Sequence, residues 1–292
     1  MSKFSYKNFE FRILESKDVN YEDVKVKLGE KFVEEMIELM YTLEVFTEEQ
    51  LKYIFIKNYE VLESRFEEVL NILETNGMIK RILIISDETI EVLVLSDNSI
   101  KYLQDINDIE IEHEEKNEDY FENKKDKILS KLITNDLVIK YFEECSLFHS
   151  FEIEPKIEIE YEGEHGYISP NAIINLGEDM NAVHFIVYAI RKGENWENEV
   201  SQNVKYLETM YLEYAKTEIL TKKPILLCVC EDKKQFMKVY RFFEKTEMPL
   251  DYLAFTTDDN LYNKKPKDGI YIVLKDDNDN INIENPKIVE LG

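Results

Sequence analysis

In the stretch NYEVLESRFEEVLNIL, residues 58–73, carboxylates recur at helical spacing: Glu60, Glu63 and Glu67, with Glu68 beside them. Together with Tyr59 and Ser64 they form the expected outward side of a helix on which Arg65 is the opposing cation. A Glu can accept a hydrogen bond from cytosine N4, but several acids facing a groove must overcome phosphate repulsion. Two chemistries fit this face: base reading by acids, or contact with a protein partner or a second copy. Lys80 and Arg81 follow on the next strand, set against Asp87 and Glu88 at its tip. A second charged group lies in KKQFMKVYRFFEK, where Lys233, Lys234, Lys238, Arg241 and Lys245 can gather along one flank of a helix. That flank is either a DNA-facing patch or a solvated surface.

Metal and thiol chemistry find less support. Cys228 and Cys230 alternate within PILLCVCED, which places both on one face of a strand. Neither a second cysteine pair nor a nearby histidine completes four ligands, so both are read as core residues. His113 sits among Glu110, Glu112, Glu114 and Glu115, a solvated acidic stretch in preference to a metal site. The sequence holds neither a G-x-G-x-x-G run nor a phosphate loop. No cofactor and no metal are expected. The formal charge of −25 over 292 residues repels phosphate backbones unless basic residues gather in one place.

The elements that must position these groups are legible in the hydrophobic pattern. Phe32, Met36, Ile37, Met40 and Leu43 have helical spacing. Thr47, with Gln50 three residues on, forms a capping box before the stripe Leu51, Ile54 and Phe55. The helix from Asn58 should bury Val61, Leu62, Phe66, Val69, Leu70 and Leu73, and Gly77 should end it at positive φ. MIKRILIIS, a DET turn and IEVLVLS then read as a β-hairpin. Helix, capped helix, long helix and hairpin are the order of a winged helix. After residue 104 the chain turns charge-dense through DINDIEIEHEEKNEDYFENKKDK, and ILSKLITNDLVIKYFEEC follows as an amphipathic helix. The remainder alternates strands (KIEIEYE, NAIINL, AVHFIVYAI, PILLCVC, LDYLAFTT, GIYIVL) with two helices, one of them capped near Asp232. An α/β domain with a mixed sheet is expected.

The two halves together resemble the replication-relaxation family of plasmid and phage proteins, over roughly residues 29–245. The winged-helix part of the resemblance is carried by VFTEEQLKYIF, RFEEVLNILETNGMIKR and EVLVLSDNSIKYL, and the second part by SPNAIINL, FIVYAIRKG and NVKYLETMYLEY. It implies a winged helix followed by a restriction-endonuclease-like, PD-(D/E)xK-related α/β domain. Such a nuclease needs an Asp and a Glu at adjacent strand ends to hold Mg²⁺, and a Lys to polarise water. At the matching positions this chain has Asn171, Tyr188 and Ile190, followed by Arg191 and Lys192. Loss of catalysis is implied, unless Glu178, Asp179 and Glu194 have taken over the role.

The resulting expectation is an α+β and α/β protein divided into an N-terminal extension (1–28), a winged helix (29–104), a charged linker with a connecting helix (105–150) and an α/β domain (151–292). Residues 1–28 should add a small hairpin or a sheet edge. The expected function is non-enzymatic, in DNA replication or its regulation in a mobile element, through winged-helix contacts with DNA or protein. Two alternatives stand beside it: an acidic assembly protein that does not bind DNA, and a metal-dependent nuclease with a migrated site. Neither an apolar leader core nor a run of about 18 apolar residues is present. A cytoplasmic location with no membrane partner is therefore expected.

Overall fold

The computed structural model describes residues 10–14, 31–85, 89–108, 111, 116–161, 163–177, 182–193, 196–214, 220, 222–246, 253–275 and 281–284. The chain divides into two units, with the boundary between Asn135 and Asp136. Each is a mixture of helices and strands.

The N-terminal unit is built on helices α1 (Lys31–Leu43), α2 (Glu48–Tyr59) and α3 (Glu63–Thr75) and strands β2 (Ile79–Ile85) and β3 (Thr89–Leu95). In α1, Val33, Met36, Ile37, Met40 and Leu43 are buried, while Phe32 is only half-buried. The expected capping box opens α2. Gln50 N–H donates to Thr47 Oγ1 at 3.2 Å, and Thr47 N–H donates to Gln50 Oε1 at 3.0 Å. The Gln50 amide also donates to the carbonyl of Leu132, 2.9 Å away. Phe46, between α1 and α2, makes a single antiparallel bridge to Leu93. Phe66, Val69, Leu70 and Leu73 form the buried side of α3, and Gly77 turns the chain at φ 64°, a conformation open to glycine without strain. β2 and β3 pair antiparallel from Ile79↔Leu95 to Ile85↔Thr89. From the expected extension, β1 (Glu10–Ile13) adds an edge to β2.

Helices α4 (Asp97–Asn107), α5 (Glu118–Asn123) and α6 (Lys125–Glu144) follow. The first part of α6 belongs to the N-terminal unit. Its Leu129, Leu132 and Ile133 are fully buried, and Asn135 donates to the carbonyl of Val45 at 3.2 Å. Lys131, buried, pairs with Glu44 at 3.0 Å. Desolvation pushes the Glu44 carboxyl up, but Lys131, Lys116 and Lys127 outweigh it and hold its pKa below the usual value. The expected acidic cluster around His113 (Glu110, Glu112, Glu114, Glu115) lies outside the described residues, as do Asp87 and Glu88.

The C-terminal unit carries a seven-stranded mixed sheet in the order β12-β11-β10-β9-β8-β7-β4. Strands β4 (Phe148–Ile153), β7 (Ala172–Leu176) and β8 (Val183–Ile190) form an antiparallel meander. Two crossovers then lay down parallel strands. Helix α7 (Trp196–Glu213) leads to β9 (Ile225–Cys230), and α8 (Lys233–Glu244) leads to β10 (Leu253–Thr257). Short helices α9 (Asp258–Asn263) and α10 (Pro266–Gly269) precede antiparallel β11 (Tyr271–Lys275) and β12 (Ile281–Glu284).

The strand period of two divides the sheet into faces. Ile173, Ile186, Ile190, Cys228, Cys230 and Phe255 pack in one cluster with Leu207, Met210 and Tyr211 of α7 and Phe236, Val239, Tyr240 and Phe243 of α8. Cys228 and Cys230 are core residues, as their spacing implied. On the opposite face, the Tyr141 ring of α6 meets Phe185 edge-on at 5.9 Å. A separate hairpin, β5 (Ile157–Tyr161) and β6 (Glu164–Ile168), contributes Ile157, Ile159 and Ile168 to the α7 side of the core. Gly166 permits this docking, since a Cβ there would lie 2.5 Å from Cζ of Tyr206.

Candidate functional site

The expected DNA-reading helix is shorter than its sequence pattern. Glu60 adopts φ 51°, ψ 38° and ends α2, and Leu62 is the extended N-cap of α3. Tyr59 and Glu60 therefore belong to the preceding helix and its turn. Leu62, expected to be buried, is 77% exposed, and Val61 is half-buried. Tyr59, expected outward, packs on Phe55 with ring centroids 4.9 Å apart, and its hydroxyl donates to the carbonyl of Glu35 at 3.4 Å. Partial burial, with Glu35 and Glu38 nearby, raises the Tyr59 pKa.

Glu60, Glu63, Ser64, Glu67 and Glu68 are exposed, as expected. The cations around them are committed to neighbouring acids. Arg65 donates to Glu68 at 2.7 Å and lies over the Phe32 ring. Lys52 of α2 pairs with Glu63. Lys80 is 3.8 Å from Asp97. Arg81 is the hub, with its guanidinium shared among Glu74 of α3, Glu91 of β3 and Glu48 of α2 at 3.0 Å. Burial works against its charge, but the hydrogen bonds to the three carboxylates more than restore it and lift its pKa above the ordinary value. Beside these acids, α2 carries an open apolar groove of about 210 Å³ lined by Glu49, Lys52, Tyr53, Ile56 and Lys57.

In the C-terminal unit, the positions implied by the nuclease resemblance do come together. Asn171 precedes β7, where its N–H donates to the carbonyl of Val187 at 2.9 Å and its Oδ1 accepts from Ala189 N–H at 2.8 Å. Tyr188 and Ile190 follow on the neighbouring strand, in the apolar environment of Ile173, Cys228 and the α7 side chains. Among the described residues the Tyr188 hydroxyl has no hydrogen-bond partner, and burial raises its pKa. A neutral amide and two apolar-packed side chains do not fit a hard cation, which takes oxygen ligands and carboxylate charge. Glu178, Asp179 and Glu194 lie outside the described residues. Among the described residues, no group of three or more His, Cys, Asp or Glu is placed to hold a metal ion.

Arg191 follows β8 directly and does not face solvent. It is fully buried and grips Asp258 with two bonds of 2.8 and 3.1 Å, while Nη2 also donates to the carbonyl of Val229 at 3.0 Å. Burial disfavours the guanidinium charge, and Asp258 with Glu231 more than compensates, so its pKa rises. The next residue, Lys192, donates its backbone N–H to Glu231 at 2.8 Å and pairs with Asp232 through Nζ. Desolvation opposes the Lys192 charge, but Asp232 and Glu231 raise its pKa, and Lys192 in turn lowers that of Asp232. This charged network occupies the carboxyl ends of the three parallel strands, where open α/β sheets place ligand sites. Sequence reasoning missed Glu231 and Asp258. The available signal was an acid directly after each apolar strand, in CVCED and FTTDD.

The basic group on α8 stands apart. The Asp232 side chain caps this helix by accepting from Gln235 N–H at 2.8 Å. Lys233, Lys234, Lys238, Arg241 and Lys245 are all exposed, and none makes an ion pair among the described residues. No described helix is long and apolar enough to cross a membrane.

No protein-family model matches the chain, and no curated protein does. Among solved structures, the Vibrio cholerae protein VC1899 aligns over 86% of this chain and 56% of its own, at 10% identity and a TM-score of 0.29. The restriction endonuclease FokI aligns over 79% of this chain and 42% of its own, at 12% identity and a TM-score of 0.23. The chain thus spans about half the length of these two proteins. The likeness is distant, too slight at these scores to carry an argument, and it does not single out the replication-relaxation family.

Proposed function

We propose that this chain is a non-enzymatic mobile-element protein acting in DNA replication or its regulation. In this reading a winged helix makes protein contacts, and it precedes a restriction-endonuclease-like unit without nuclease chemistry. The order α1, the Phe46 bridge, α2, α3 and the β2–β3 hairpin supports the winged helix. The succession of helix, antiparallel meander, crossover helix and parallel strand supports the second name. The mobile-element setting rests on the sequence resemblance.

One observation carries the preference for protein over DNA at the winged helix: Arg81 is held by Glu48, Glu74 and Glu91 while Glu60, Glu63, Glu67 and Glu68 face solvent. A phosphate approaching this face meets Glu60 and Glu67, which have no ion-pair partner among the described residues, and recruiting Arg81 would strip three carboxylates of their counter-charge. The apolar groove on α2 suits a partner side chain better than a sugar-phosphate edge. Sequence selection from random duplexes, at roughly physiological ionic strength, is the test. No preferred site should emerge from the parent chain. In the Glu60→Gln, Glu63→Gln, Glu67→Gln variant folding should persist, and non-specific DNA affinity should rise as repulsion is removed. A specific site recovered by the parent and lost by the variant would overturn the protein-contact reading. With Mg²⁺ or Mn²⁺, supercoiled DNA should stay intact. Cleavage abolished by Glu178→Ala or Glu194→Ala would establish a migrated active site.

A further inference from the structure

We infer that the exposed side of α8 is a binding surface for the phosphate backbone of a nucleic-acid duplex, read without regard to sequence. The inference stands apart from the reading of α3, because a different unit and a different charge sign carry it.

Lys234, Lys238, Arg241 and Lys245 follow one another at i, i+4, i+7 and i+11, which is a single line along a helix. At 1.5 Å per residue that line is about 16 Å long. Lys233 widens it at the N-terminal end. The opposite side of the same helix is committed to the core through Gln235, Phe236, Val239, Tyr240 and Phe243. The five cations are thus held outward by burial of the face behind them.

Their alignment in one line, with no carboxylate partner among the described residues, is what distinguishes this surface. Acids outnumber bases 61 to 36 in the chain, so an arbitrarily placed cation has acidic neighbours to pair with. At eight other positions this happens: Lys52, Arg65, Lys80, Arg81, Lys131, Lys140, Arg191 and Lys192 have carboxylate partners. On α8, Asp232 is turned to Lys192 and to its capping bond, and Glu244, half-buried, is the one acid within the helix. Sequestering the neighbouring acid leaves a coherent positive line on a chain of net charge −25. A duplex strand presents a phosphate about every 3.4 Å of axis, so a line of this length can meet several at once. The line presents cations alone, with no exposed amide or carboxylate among them, which suits phosphate contact without sequence preference.

The experiment measures binding of the full chain to a labelled duplex of about 20 base pairs by fluorescence anisotropy across about 50–200 mM salt. Lys234→Gln, Lys238→Gln, Arg241→Gln is the test variant, its substitutions all solvent-exposed and its fold checked by circular dichroism. The parent should bind with a steep salt dependence. Losing three phosphate contacts should weaken binding about tenfold or more and reduce the slope of log K against log salt by about three. Equal binding by parent and variant, or no binding by the parent at the lowest salt, would overturn the inference. So would polyglutamate competing as well as unlabelled duplex at equal charge. Loss of self-association in the variant, measured by sedimentation with duplex binding unchanged, would instead assign the surface to a second acidic copy.

Discussion

A guanidinium with no access to water must have its charge balanced by the protein, and for Arg191 the balance is Asp258 assisted by Glu231, with one strand carbonyl as a further acceptor. Removing one member of such a pair is far more damaging than removing both, because the survivor is left charged in a low-dielectric interior. Arg191→Met should therefore cost about 3–5 kcal/mol in urea unfolding. Arg191→Met with Asp258→Leu should recover most of that loss, and equal losses in both variants would contradict the account. A second residue ties stability to pH. His184 Nδ1 lies 2.7 Å from Asn175 Oδ1, and the Asn175 amide in turn donates to Ser150 Oγ at 3.0 Å, so the neutral ring carries its proton on Nδ1. Burial, with Lys222 assisting, lowers the His184 pKa. The folded chain thus holds a proton there less readily than the unfolded chain. The associated stability is complete above the ordinary histidine range near 6.5 and is lost as pH falls through the lower folded value. Unfolding free energy measured at pH 7.5 and at pH 5.5 should fall less in His184→Gln than in the parent. An identical fall in both would exclude His184 as the source.

At the scale of elements, the β5–β6 hairpin depends on the absence of one side chain. Gly166→Ala would push a methyl against the Tyr206 ring and should destabilise the C-terminal unit by about 1–3 kcal/mol. Pairing it with Tyr206→Leu should relieve much of the cost in the same thermal melt. The helices and strands themselves were largely legible. A capping box, a glycine at a helix end and strand-length apolar runs are local signals, and Thr47–Gln50, Gly77 and the run from Ile225 to Cys230 behaved accordingly. The break between α2 and α3 was not legible. Glutamate does not advertise the left-handed conformation that Glu60 adopts, and an apolar pair such as Val61–Leu62 looks like core until its turn is known. The candidate site was legible to the same local depth. The acidic side of α3 and the basic line of α8 follow from helical spacing alone. The partners that neutralise Arg81 and Arg191 do not, since Glu48 and Asp258 lie 33 and 67 residues away.

For the molecule as a whole, the unit boundary between Asn135 and Asp136 lies within the residues of α6 and not in the charge-dense stretch before it. The N-terminal unit needs the start of that helix. Leu129, Leu132 and Ile133 complete its core, the Gln50 amide donates to the carbonyl of Leu132, and the Asn135 amide donates to that of Val45. At about 1.5–3 kcal/mol for each large apolar side chain, the three leucine and isoleucine residues together match the stability of a whole small domain. A fragment of residues 1–144 should unfold cooperatively in a thermal melt, and one of residues 1–115 should not. Equal cooperativity in the two would show that α6 is dispensable.

The three thiols of the chain, Cys145, Cys228 and Cys230, lie beyond residue 136, and all are buried. Burial raises the pKa of each, which suppresses the thiolate that alkylating reagents attack. The protein thereby carries a clock wired to one unit. Alkylation of Cys228 and Cys230 in native buffer should proceed only as β9 is exposed, at a rate set by opening of the C-terminal sheet, while excursions of the N-terminal unit leave no covalent mark. Mass spectrometry of time-quenched samples would read that opening without any introduced label. Modification of Cys228 and Cys230 as fast as in urea would mean that the central strand is far less secluded than its packing implies.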